Sequence, residues 1–150
     1  MPQEASGEYL RNAVLTASGE QLVLMLYDGA IRFARQAKEA LARKDFEGSC
    51  DRLLRAQRIV QELQAGLRGE ANPELARQMN SLYTFIYERL VQANMTQQPG
   101  PIDEALKILE HQRETWRMLL DKVRSNPAVA APPSKALAQP VAGAVLSVEG

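Results

Sequence analysis

The chain has 150 residues, 45% apolar and 24% charged, with 18 basic against 18 acidic side chains and a formal net charge of zero. That length suits one domain with a core of its own. The balanced charge excludes the basic domain or stripe of a dedicated nucleic-acid binder. One cysteine, Cys50, excludes a disulfide framework within the chain. With no basic leader ahead of an apolar run and no apolar window of about 18 residues, neither a signal peptide nor a membrane span is expected. The compartment this predicts is the cytoplasm.

In chain order, residues 1–17 are weakly apolar, with Tyr9, Val14 and Leu15 as anchors. Ser18 and Gln21 form a capping-box pattern, in which each side chain satisfies the other's orphan backbone N–H. Leu22, Met25/Leu26, Ala30, Phe33, Ala37 and Leu41 follow at three-four spacing, the face of a buried helix. Arg43 and Lys44 are expected in its last turn, where positive charge suits the helix dipole.

Asp45 reads as the N-cap of a second helix, with the stripe Cys50, Leu53, Ala56/Gln57, Val60, Leu63 and Leu67 and with Gly66 and Gly69 at its end. Asn72, Pro73 and Glu74 open a third, whose stripe is Leu75, Met79, Leu82, Ile86, Leu90 and Ala93. It stops near Asn94, before Gln97-Gln98-Pro99-Gly100. Pro101 and Asp103-Glu104 open the fourth, which carries Ile102, Leu106, Leu109, Trp116, Leu120 and Val123 and ends before Pro127. The cations from Arg32 to Arg58 are interleaved with Glu39, Asp45, Glu47 and Asp51 and read as a solvated face rather than a phosphate site.

Short connections make successive helices antiparallel neighbours. The predicted fold is therefore all-α: an antiparallel up-down four-helix bundle over residues 18–124, with a short N-terminal capping segment at 1–17. Residues 125–150 hold four of the eight prolines and only two charges, Lys135 and Glu149, so they read as a flexible Ala/Pro-rich tail. Val141 to Val148 is its most apolar part.

Catalysis requires a titratable cluster, and none is legible. The single histidine, His111, and Cys50 are far apart in sequence, and no spacing suggests zinc. Asp103 and Glu104 are adjacent, so on a helix they point apart. Neither metal nor cofactor is expected. Histidine phosphotransfer domains are also four-helix bundles, and His111 is a formal candidate. Those domains place Lys-Gly three and four residues after the histidine, where this chain has Glu114 and Thr115. A carboxylate there repels phosphate.

The helices carry more apolar surface than one core needs, about three positions in seven. The first adds Val23, Tyr27, Ile31 and Ala34; the second adds Leu54 and Ile59; the third adds Tyr83, Phe85 and Tyr87. Two readings remain open: broad core faces, or a groove that receives an amphipathic helix from a partner.

Four ordered blocks carry a resemblance. Tyr9, Val14-Leu15-Thr16-Ala17-Ser18 and Leu22-Val23-Leu24-Met25-Leu26-Tyr27-Asp28-Gly29-Ala30-Ile31 resemble the flagellin-specific export chaperone family FliS. So do Ala56-Gln57-Arg58-Ile59-Val60 with Glu62-Leu63 and Leu67, then Leu82-Tyr83, Phe85-Ile86, Leu90 and Ala93-Asn94, then Leu109, Arg113-Glu114 and Trp116. The resemblance spans residues 9 to 124. Thr84 departs from it, standing where the family usually has an acidic residue, and the connection 96–101 is unusual.

The resemblance implies a cytoplasmic chaperone, not an enzyme, that binds the C-terminal helix-forming segment of flagellin and prevents premature polymerisation. It would support delivery to the flagellar type III export apparatus, whose gate components are further candidate partners. It also implies an N-terminal segment that lies over part of the groove and is displaced by the client. The partner-binding residues expected on this basis are Tyr9, Val14, Tyr27, Ile31, Ile59, Leu63, Tyr83 and Ile86. A bundle adaptor with a different client is the remaining alternative.

Overall fold

The structure, a computed structural model, describes residues 19–67 and 72–125. Ser18, Gly69 and both terminal segments, with Tyr9, Val14 and Val141–Val148, lie outside these residues.

Among the described residues there are four helices and no strand: α1 (Gly19–Ala42), α2 (Phe46–Ala65), α3 (Pro73–Thr96) and α4 (Gly100–Ser125). Their starts follow from local chemistry. The Asp45 carboxylate accepts the Gly48 N–H at 2.9 Å, and the Asn72 side chain accepts the Leu75 N–H at 3.1 Å. Each satisfies one of the four N–H groups that a helix start leaves without a partner. Pro73 fills the first turn of α3, where a missing N–H costs nothing.

The ends differ from expectation in detail. α1 stops at Ala42, so Arg43 and Lys44 lie in the following turn and not in the helix's last turn. Lys44 takes φ 61°, which redirects the chain into the Asp45 cap. α3 runs to Thr96, two residues past Asn94, and is closed by Gln97 at φ 56°. Pro99 then accepts the Asp103 N–H at 3.0 Å and opens α4.

Each helix packs on its chain neighbours, and α4 closes the ring on α1. Cross-helix pairs show the directions. Residues 28, 35 and 38 of α1 meet 113, 110 and 103 of α4, so rising numbers meet falling ones. Gln64 of α2 likewise meets Asn80 and Thr84 of α3. The bundle is antiparallel, up-down-up-down. Its upper end carries the 43–45 and 97–99 turns; its lower end carries the start of α1 and the end of α4.

α1 contributes small residues to the centre: Gly29, Ala30, Ala34, Ala37 and Ala40 are all buried. They let neighbouring helices approach, and a Cβ on Gly29 would lie 3.0 Å from Ile59 Cδ1 on α2. Leu53, Val60, Leu63, Ile86, Leu90, Ile102 and Leu109 fill the space so created. Each contributes about 1.5–3 kcal/mol by leaving water.

Candidate partner-binding surface

Of the eight expected partner-binding residues, Tyr9 and Val14 lie outside the described part. Tyr27, Ile31, Leu63, Tyr83 and Ile86 are each at most 5% exposed, and Ile59 is half-buried against the core. In this conformation the five buried ones present no surface. Their role is most explicit for the two tyrosines. Tyr27 on α1 and Tyr83 on α3 meet across the bundle's diagonal, their hydroxyls 2.5 Å apart. Burial raises the pKa of both phenols. That of Tyr83 is pushed up to about 12, partly offset by the hydrogen bond it shares with Tyr27. A buried hydroxyl is tolerated when it is bonded, and these two bond each other.

The surface left to a partner includes the four seams between neighbouring helices. The α1/α4 seam is laced with charge: Asp28–Arg113, Arg35–Glu110 and Lys38–Asp103. A cleft of about 670 Å³ beside it is lined by Asp28, Arg32, Arg35, Glu39, Glu110 and Arg113, among others. The α1/α2 seam contains Phe33, over whose ring Arg32 and Arg55 are stacked at 5.1 and 5.8 Å. The α3/α4 side contains Phe85, with Arg89 over its ring at 5.5 Å, and the Arg89–Glu104 pair at 3.9 Å. In each of these seams an arginine covers apolar surface or an ion pair closes it.

Among the described residues the α2/α3 seam has neither above its lower mouth, where Arg77 pairs with Glu74. Phe46, Cys50 and Leu54 recur every four residues, so they line one flank of α2. Gln57, Gln61 and Gln64 continue that flank downwards. On α3 the facing flank is Asn80, Thr84, Tyr87, Val91 and Met95. Gln64 sets the register by donating to Asn80 Oδ1 at 3.0 Å and to Thr84 Oγ1 at 2.9 Å. Counting upward from that contact in antiparallel sense brings Leu54 level with Val91 and places Phe46 and Met95 at the upper end. None of these eleven side chains is charged. Phe46 and Leu54 are each 43% exposed and Met95 is 76% exposed. Among the described residues no cation stacks on Phe46.

At the lower end the seam opens into a cleft of about 640 Å³ lined by Gln64, Leu67, Pro73, Ala76, Arg77, Asn80 and Ser81. From Ala76 to Met95 the seam is about 30 Å long at ~1.5 Å per residue. It could take an amphipathic helix of about five turns.

His111 is exposed on the outer side of α4. The Glu114 carboxyl, one turn further on, is held below its ordinary pKa by its hydrogen bond from Arg117. It therefore stays ionised where a phosphate on the ring would need neutral or positive neighbours. Among the described residues no group of three or more His, Cys, Asp or Glu side chains is placed to hold a metal ion. No described helix is long and apolar enough to cross a membrane.

A family model described as "Flagellar protein FliS" matches residues 1–123. The chain belongs to the FliS family. It is 36% identical over 118 residues to the flagellar secretion chaperone FliS of Bacillus subtilis, covering 79% of this chain and 87% of that one. It is 32% identical over 114 residues to the flagellar secretion chaperone FliS of Salmonella typhimurium, covering 75% and 84%. A crystal structure described as a flagellar chaperone from bacteria superposes with a TM-score of 0.66 at 20% identity, covering 81% of this chain and 99% of that one. That likeness bears on the fold. Family membership makes the bundle a flagellar export chaperone and not an enzyme.

The resemblance read from the sequence blocks thus identifies the family correctly. What the blocks did not reveal is the α2/α3 seam. Its signal was present in the Phe46-Cys50-Leu54 spacing, but it becomes a surface only once Val91 and Met95 are known to lie beside it.

Proposed function

We propose that the chain is a cytoplasmic chaperone for flagellin, and that the α2/α3 seam receives the C-terminal helix-forming segment of that client. The observation that carries the proposal is the seam itself: its facing flanks are neutral above Arg77 and apolar at the upper end, and among the described residues no arginine or ion pair caps them, in a bundle whose other seams are so capped. Covering it would withhold the client's apolar face from other flagellin subunits until delivery to the export apparatus.

The magnitudes set how much of the seam is needed. Fully burying a Leu, Phe or Met is worth about 1.5–3 kcal/mol. The parts of Phe46, Leu54 and Met95 still exposed therefore offer roughly 3–4 kcal/mol between them. Micromolar binding needs about 8 kcal/mol after ordering costs. Three anchors do not supply that, so the client must cover the seam's length, Tyr87 and Val91 included, and fold as it does so. Tyr27, Leu63, Tyr83 and Ile86 then act from below, by fixing the positions of α2 and α3.

Tyr9 and Val14 complete the proposal as an internal lid over the lower part of the seam. A lid that must leave lowers the apparent affinity by its closed population. Deletion of residues 1–15 should preserve client binding or tighten it, and complete loss would contradict the lid. Calorimetry with the C-terminal peptide of the same organism's flagellin tests the main reading. Heat with a micromolar or tighter midpoint is expected; none at tens of micromolar would contradict it.

A further inference from the structure

Methionine is flexible, apolar and polarisable, so it serves cores and adaptable binding surfaces alike. Its thioether also takes an oxygen atom from peroxide, which makes the side chain polar. The chain has five methionines: Met1, Met25, Met79, Met95 and Met118. Met1 lies outside the described residues. Met25 and Met79 are half-buried, and Met79 packs against the core. Met95 and Met118 stand apart: at 76% and 58% they are the two most exposed large apolar side chains among the described residues.

These two occupy different sides of the bundle. Met118 is about two turns beyond His111 on α4 and shares its outer face. Met95 is one turn above Val91 on α3, at the upper, apolar end of the neutral seam. Its backbone is fixed. The Thr96 hydroxyl donates to the Gln92 carbonyl at 2.8 Å, and the Gln97 N–H donates to the Ala93 carbonyl at 2.8 Å. The exposure of Met95 is therefore that of a side chain on an ordered helix end, not of a frayed one.

The chemistry at that position is simple. Attack of the Met95 sulfur on hydrogen peroxide forms an S–O bond and breaks the O–O bond; one oxygen stays as the sulfoxide and the other leaves as water. A dithiol reductase of the methionine sulfoxide class reverses the change, releasing water and closing its own disulfide. The sulfoxide oxygen is an acceptor with no proton of its own. On the flanks around it Phe46, Leu54 and Val91 have no side-chain donor, and the amides Gln57, Gln61 and Gln64 lie further down. A client that covers the oxidised side chain buries an acceptor without a partner. In the free chaperone the same oxygen is hydrated and costs nothing.

We infer that Met95 is an oxidation-sensitive anchor of the α2/α3 seam: peroxide converts it to the sulfoxide ahead of Met25 and Met79, and the oxidised chaperone holds its client weakly until a reductase restores the thioether. The inference rests on the client surface proposed above and adds a regulation to it. The lever is large because the seam has few anchors. Met95 is the most exposed of the three, so it gains most from being covered. A leucine there would supply a similar apolar surface with no such response. Met118 is open to peroxide but stands on the outer face of α4, which makes it an internal control.

The test uses the full chain, hydrogen peroxide and the flagellin C-terminal peptide. Graded oxidation followed by peptide mapping ranks the methionines, and Met95 and Met118 should convert several-fold faster than Met25 and Met79. Once Met95 is converted, calorimetry should show an affinity about ten-fold or more below that of the untreated chain. The melting temperature should change little, because Met95 is exposed. Methionine sulfoxide reductase should restore the affinity. The same before-and-after comparison should give a ratio near one in Met95→Leu and the full loss in Met118→Leu. Unchanged affinity with Met95 fully converted would overturn the inference. So would a peroxide-dependent loss that persists in Met95→Leu, since that assigns it to Cys50 or Met1. Conversion of Met95 no faster than that of Met79 would overturn it too, since another part of the chain then covers the position. Absence of heat from the untreated chain would instead remove the flagellin reading, and this inference with it.

Discussion

The α1/α4 and α2/α3 seams lie on opposite sides of one bundle, and each joins two long antiparallel helices. α1/α4 is bridged by Asp28–Arg113, Arg35–Glu110 and Lys38–Asp103. α2/α3 is bridged by Gln64 to Asn80 and Thr84, with Leu54 and Met95 left open above. Half-exposed ion pairs of the first kind contribute little to stability, about 0–1 kcal/mol each. Their effect is on recognition. A client helix laid over α1/α4 would have to desolvate six charges, at a cost its apolar face does not return. Over α2/α3 it desolvates amides and apolar groups. In the function proposed above, this difference in charge steers a partner without affecting how well either pair of helices packs beneath.

The largest effect that would break this comparison is a charge placed in the neutral seam. Leu54→Asp with Met95→Asp should weaken client peptide binding by about 100-fold or more, since each carboxylate loses hydration when the client covers it. Both positions are exposed, so thermal stability should change little. Calorimetry and a melting curve on the same sample check both halves. An equal loss of binding from Arg35→Ala would erase the distinction between seams.

Next comes the support under the seam. Tyr27→Phe leaves the Tyr83 hydroxyl buried without a partner and should cost about 1–3 kcal/mol in urea unfolding. The Tyr27→Phe/Tyr83→Phe double variant should cost less than the two single changes added together, because it removes both ends of the bond. The same pair has a pH signature. Tyr83 is raised from the ordinary 10.0 to about 12, so the folded state holds its proton more tightly than the unfolded chain does. That contribution is complete below about pH 10 and is lost as pH rises through about 12. Stability measured between those limits should fall in the wild type and fall less in the double variant.

The smallest effect belongs to the charged seam. A double-mutant cycle on Lys38→Ala and Asp103→Ala should give a coupling below about 1 kcal/mol that shrinks with added salt. Peptide affinity should not change in either variant.

The helices were legible in the sequence because their signals are local. Asp45 and Asn72-Pro73 mark starts by chemistry that acts within three residues. Arg43 and Lys44 misled because a favourable charge near a helix end does not decide where the end falls; the left-handed Lys44 does. The site was harder for a physical reason. Core and groove positions both read as apolar residues at helical spacing, so Tyr27, Leu63, Tyr83 and Ile86 looked eligible for either role. They occupy the centre because four helices close on them. Leu54 and Val91 become neighbours only through a register set by Gln64, Asn80 and Thr84, and no periodicity encodes that pairing.

The most direct test of the neutral seam follows methyl resonances while the flagellin C-terminal peptide is added. Leu54, Val91 and Met95 should shift and saturate together, with Ile108 on α4 and Leu24 on α1 nearly unmoved. Shifts concentrated on α1 and α4, with Leu54, Val91 and Met95 unchanged at saturation, would contradict the account.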